Sequence, residues 1–237
     1  ALEWLEQYLN KCKETLNTQF EQYRISEALM TVYTGFRDEF SSWLLEIIKP
    51  GFEQPIDRIT YDKTIYLFEE MLQLLHPFMP FITEEIWQNL REDGESIMVS
   101  VMPIPGKYDE NFLNTFENTK EVIAGIRTIR KQNNIAFKDA ISLRVKSNDR
   151  YPLLFESIIC KMGNIQDVEM VNDTVKGAWS FICDTVEYFI PAVGEVNTEE
   201  VRAKLQADLA YAQGFLASVM KKLSNEKFVS GAPAQVV

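Results

Sequence analysis

Apolar side chains recur at helical spacing in one segment after another from the start of the chain to Asn133. This period of about 3.6 residues constrains the fold more than any other feature. Trp4, Leu5, Tyr8, Leu9, Cys12, Leu16 and Phe20 form the first series. A second runs from Leu29 through Tyr33, Phe36, Phe40, Trp43, Leu44 and Ile47, with Ser26 expected as its N-cap and Glu27 in its first turn. Lys49-Pro50-Gly51 stops it, because proline removes a donor and glycine permits the turn. Ile65, Phe68, Leu72 and Leu75 mark a third helix, ended by His76-Pro77. Thr83 reads as the N-cap of a fourth, with Glu84 and Glu85 at the favourable end of its dipole and Ile82 able to staple onto Trp87. Residues 91–110 read as a loop holding a strand-like Ile97–Val101, and a long helix is expected from about Asn111 to Asn133.

After Ile135 the period changes to two. Ile141, Leu143 and Val145 alternate with Ser142, Arg144 and Lys146, which predicts a strand. A helix over 152–162, a strand over 167–171 and an extended segment over 179–191 complete a small α/β unit. Gly194 and Asn197-Thr198 punctuate its exit. In the last helix Leu205, Leu209, Ala212, Leu216, Val219 and Leu223 are spaced alternately four and three apart, a coiled-coil seam that needs a partner helix. Only the turn Ser230–Pro233 follows, so a fragment is expected, cut where a returning helix begins. The expected fold class is mainly α with a small α+β part: a helical bundle over 1–135, an α/β linker over 136–196, and half of an antiparallel coiled coil over 197–237.

The formal net charge of the 237 residues is −11, which argues against nonspecific nucleic-acid binding by the chain as a whole. The charge is uneven. Residues 1–119 hold 9 basic and 21 acidic side chains, whereas residues 120–146 hold 7 basic and 2 acidic, so one basic island sits in an acidic chain where a polyanion could dock. Cys12, Cys160 and Cys183 are odd in number and far apart, which fits a reducing cytoplasm without a disulfide framework. No apolar run reaches the ~18 residues of a membrane span, and the first residues lack the pattern of a signal peptide. With His76 the only histidine, a His-based triad and a two-histidine metal site are excluded. No catalytic residue and no metal site are assigned, and His76 is expected to cap or pack.

The segment Leu75-His76-Pro77-Phe78-Met79-Pro80-Phe81-Ile82-Thr83-Glu84-Glu85-Ile86-Trp87-Gln88 resembles a signature of the anticodon-binding domain of class I aminoacyl-tRNA synthetases, shared by the valine, isoleucine and leucine enzymes. Asp38-Glu39-Phe40 through Trp43, Glu46 and Lys49-Pro50 is similar to the preceding helix of the valyl enzymes. Lys222-Leu223-Ser224-Asn225-Glu226-Lys227-Phe228-Val229 resembles the hairpin tip of their C-terminal coiled coil. The resemblance covers essentially the whole chain. It implies an anticodon-binding bundle without its first helix, a linker, and the start of a tRNA-binding arm, with tRNA(Val) as partner. It also implies a cytoplasmic, monomeric parent that joins valine to tRNA using ATP and Mg²⁺ in a catalytic domain not represented here. No cofactor is expected in this portion.

Arg127, Arg130, Lys131 and Asn134 fall at i, i+3, i+4 and i+7 on one arc of the long helix, where guanidinium and ammonium groups suit phosphate oxygens. With Lys138, Arg144 and Lys146 they make up the island. The alternative is a solvated face with local ion pairs. Lys49, at a helix end, could cap carbonyls or reach RNA. Trp43, Phe36 and Phe52 could stack on an unpaired base, core packing being the alternative for Trp43. Lys221 and Lys222 lie near the expected hairpin tip and could touch the tRNA elbow. Two further readings stay open: a helical protein-interaction module using the exposed seam, and the same region of an isoleucyl or leucyl enzyme.

Overall fold

In the computed structural model, residues 1–91, 94–192 and 198–224 are described, except for the side chains at 198–201, 203–205 and 222. Residues 1–191 form one compact unit and 192–237 a second. The expectations for Gly194, Asn197, Leu205, Lys222 and the hairpin tip lie outside the described residues.

The first unit opens with helix α1 (Leu2–Glu21) and continues with α2 (Ile25–Thr34), a π-helix (Gly35–Leu44) and α3 (Leu45–Ile48). Helices α4 (Arg58–Leu75), α5 (Pro80–Leu90) and α6 (Glu110–Gln132) complete the bundle. The second expected helix is thus α-helical only at its ends. Between them the Ser41 and Ser42 hydroxyls donate to the carbonyls of Phe36 and Arg37, five residues back, at 2.9 Å each. Gly35 opens this stretch where a Cβ would stand 3.2 Å from the Tyr8 ring of α1.

Three local expectations are corrected. The second helix starts at Ile25 with Arg24 at the N-cap, ahead of Ser26. The α5 helix starts at Pro80, whose fixed φ and missing N–H suit a first helical position. Thr83 is therefore inside the first turn and fully buried, its hydroxyl 2.7 Å from His76 Nδ1 and 2.9 Å from the Met79 carbonyl. The strand-like Ile97–Val101 contains a 3-10 turn, Ile97–Val99, with the Ser96 hydroxyl accepting from the Met98 N–H. Glu84 pins this turn by accepting from Ser96 Oγ at 2.8 Å and the Ile97 N–H at 3.2 Å. Hydrogen bonds from Gln88 and Ser96 hold its carboxyl below the usual range.

Strand β1 (Ile141–Lys146), a 3-10 turn (Leu153–Phe155), α7 (Glu156–Gly163), β2 (Ile165–Val171), β3 (Ala178–Cys183) and β4 (Val186–Pro191) follow. The sheet order is β2-β1-β4-β3, with β1 and β2 parallel and the other pairs antiparallel. The alternation read in β1 is realised: Ile141, Leu143 and Val145 are buried. Bundle and sheet share one core. Trp4 stacks on Phe116 at 3.9 Å, and Phe116 meets Phe155 edge-on at 5.0 Å. The 26-residue helix α8 (Thr198–Leu223) belongs to the second unit, and Leu209, Leu216 and Leu223 of its seam are exposed. Among the described residues no helix is long and apolar enough to cross a membrane.

Candidate nucleic-acid interface

The candidate surface is the C-terminal half of α6 and the turn that follows it. Asp109 caps the start of α6 by accepting from the Asn111 N–H at 2.8 Å. Arg130 and Lys131 stand in its last turn, where cations suit the helix dipole. The chain leaves the helix through Asn134, whose φ of 53° is in the left-handed region that asparagine tolerates.

Arg130 is the main correction to the expected arc. It is 4% exposed, and its five N–H donors all meet backbone carbonyls. Nε donates to Gly163 at 3.1 Å, Nη1 to Ala136 and Asp139 at 2.9 Å each, and Nη2 to Gly163 and Asn164 at 3.0 Å each. Burial lowers its pKa. A side chain so enclosed offers nothing to a phosphate. It ties α6 to the end of α7 and to the turn 136–139.

The rest of the island divides in two. Lys120 is buried between the carboxylates of Glu39 and Glu117. Burial raises the Glu39 pKa, with Lys120 opposing it. Arg144 is 2.5 Å from Asp167 and 2.9 Å from Glu169, and Lys146 is 3.3 Å from Glu187. Arg127, Lys131 and Lys138 are exposed, with no carboxylate partner among the described residues, and Asn134 is exposed beside them. The Arg127 guanidinium lies 5.6 Å from the centroid of the Trp43 ring, close enough for a cation–π contact.

Trp43 is half-buried against the core, and the Lys120 ammonium lies 5.8 Å from its ring. Phe36 packs on Phe40 and Phe68, whereas Phe52 is 92% exposed. Lys49 is exposed, 3.7 Å from Glu46. The cation that caps carbonyls at this helix end is Lys161 from α7, which donates to Ile47 at 2.6 Å and Lys49 at 2.7 Å. Lys221 is exposed on α8. Among the described residues no group of three His, Cys, Asp or Glu side chains is placed to hold a metal ion. One feature escaped the spacing argument: Phe137, 58% exposed at the tip of the turn after α6, with its ring 5.7 Å from the Arg130 guanidinium. The available signal was an aromatic residue beside Lys138 in a polar loop.

Residues 3–146 match the family model described as the anticodon-binding domain of tRNA ligase, well over half of the chain. The chain belongs to that family. Residues 197–237 match a second model, the valyl tRNA synthetase tRNA binding arm. Among relatives, the chain is 52% identical to a valine–tRNA ligase of Phocaeicola vulgatus and 49% identical to one of Parabacteroides distasonis, each over the whole of this chain and 27% of the relative. It is 29% identical to one of Thermotoga maritima over 99% of this chain and 27% of the relative. The chain thus spans about a quarter of the length of the relatives it matches.

Proposed function

We propose that the chain is the tRNA-binding portion of a valine–tRNA ligase and performs no bond chemistry itself. The observation that carries this reading is the coincidence of two matches, an anticodon-binding domain followed by a valyl tRNA-binding arm, with a surface on α6 and the turn after it where Arg127, Lys131 and Lys138 are open to solvent. The division of labour is by segment: a helical bundle over 1–135 against the anticodon stem and loop, a small α/β linker over 136–196, and an arm over 197–237 toward the elbow. The contacts from α6 and its turn are to the phosphate backbone, which fixes register without reading sequence. Lys49, Lys221 and Lys222 add charge, and Trp43 acts by holding the Arg127 guanidinium.

The rest of such a ligase joins valine to tRNA(Val) through a valyl-adenylate, using ATP and Mg²⁺. This portion sets the angle at which the distant acceptor end approaches that chemistry. The parent acts in the cytoplasm as a monomer. The test is a titration of the chain with a tRNA(Val) transcript by fluorescence anisotropy at low and moderate salt. Reversal of Arg127 and Lys131 to glutamate should weaken binding about tenfold or more, since contacts between charged groups contribute about 1.5–3 kcal/mol each. Unchanged affinity removes α6 from the interface. Absence of binding with self-association instead supports a protein-interaction module, for which the exposed Leu209, Leu216 and Leu223 are the supporting observation.

A further inference from the structure

We propose that Phe137 is a stacking platform for an unpaired RNA base, presented by a turn that Arg130 holds rigid. The inference rests on the tRNA-binding reading and adds to it a residue that acts through its ring. Phe137 and Lys138 are the two central residues of a turn closed by the Asp139 N–H to the Ala136 carbonyl at 3.1 Å. The carbonyls at both ends of that turn, Ala136 and Asp139, accept from one nitrogen, Arg130 Nη1. The carbonyl of Phe137 itself accepts from Asn164 Nδ2 at 2.6 Å. The backbone under the ring is therefore fixed from three directions, by α6, by the residue that caps the end of α7 and by its own turn.

A phenylalanine 58% exposed at the tip of a polar turn gains little from burial. Arg130 backs it at 5.7 Å, and the adjacent Lys138 and the preceding Lys131 are exposed cations. An exposed aromatic ring in a segment that also carries exposed lysines suits single-stranded nucleic acid: the base stacks on the ring and the cations meet the flanking phosphates. A fixed turn lowers the ordering cost of binding on the protein side. The chemistry points to an unpaired nucleotide, since a base within a duplex offers no free face.

The competing account is that the ring only shields Arg130 from water. Leucine would do that as well, and tryptophan would stack at least as strongly as phenylalanine. The experiment is a tRNA(Val) titration of the full chain and of Phe137→Ala, Phe137→Leu and Phe137→Trp, with log affinity followed against log salt and folding checked by urea denaturation. The expected result is that alanine and leucine weaken binding about tenfold while tryptophan restores it, since stacking on an aromatic side chain contributes about 1–3 kcal/mol per base. The salt slope should not change, because no charge is removed. Leucine binding like the unaltered chain, or alanine having no effect, overturns the platform and leaves the tRNA reading standing. If the unaltered chain fails to bind at low salt, both inferences fall.

Discussion

Arg130 illustrates what one residue can and cannot reveal about itself. The sequence placed it on an arc with Arg127 and Lys131, and the spacing was right: all three are on α6. What separates them is the set of carbonyls at 136, 139, 163 and 164, which helical periodicity cannot register because most come from a different element. A guanidinium suits this cradle since its five donors point in fixed directions, whereas an ammonium has three donors and no fork. We expect Arg130→Lys to cost about 2–4 kcal/mol of unfolding free energy by leaving buried carbonyls unpaired. Arg127→Ala, at an exposed position, should stay within about 0.5 kcal/mol of the unaltered chain. Urea denaturation of the two variants decides it, and equal stability would return Arg130 to the list of surface cations. Phe137 was missed for the complementary reason. It stands on a turn that Arg130 and Asn164 hold from beneath, and no local pattern announces that turn.

At the scale of elements, the helices and the first strand were legible because burial of one face imposes a period, and the period was written without interruption along α1, α4, α6 and β1. Ends and irregular pieces were less legible. Thr83 looked like a cap, but Pro80 started the helix three residues earlier. Ile97–Val101 had the composition of a strand with no neighbouring strand to pair with, and Glu84 drew it into a turn instead. The packing of α6 on the sheet was invisible in sequence although one residue permits it. A Cβ on Gly125 would clash with the Phe181 ring of β3, and Phe181 is itself stacked on the buried Tyr188 at 4.9 Å. Alanine in a helix interior ordinarily gains about 1 kcal/mol over glycine. Here the clash outweighs that gain, and Gly125→Ala is expected to destabilise by about 1–3 kcal/mol. A thermal melt showing the variant as stable as the original would mean that β3 can move away from α6 without cost.

Across the whole molecule the tRNA-binding proposal raises the question of how a chain of net charge −11 would hold a polyanion. The basic island was plain in the sequence, but its use was not, because the acids that answer it come from elsewhere: Glu39 from the π-helix, Asp167 and Glu169 from β2, Glu187 from β4. Of the seven cations in residues 120–146, Arg127, Lys131 and Lys138 stay exposed without a carboxylate partner among the described residues. Counterion release makes this difference measurable, since each neutralised phosphate adds about −0.7 to −0.9 to the slope of log affinity against log salt. Replacing Arg127, Lys131 and Lys138 together by alanine should therefore flatten the slope for tRNA(Val) by about 2–3. Lys146→Ala should leave it nearly unchanged, because that charge already faces Glu187 at 3.3 Å. A clear loss for Lys146→Ala would instead require that side chain to release Glu187 on binding. No loss at all for the triple variant would move the docking surface off α6, and the acidic remainder of the first unit offers no comparable island to receive it.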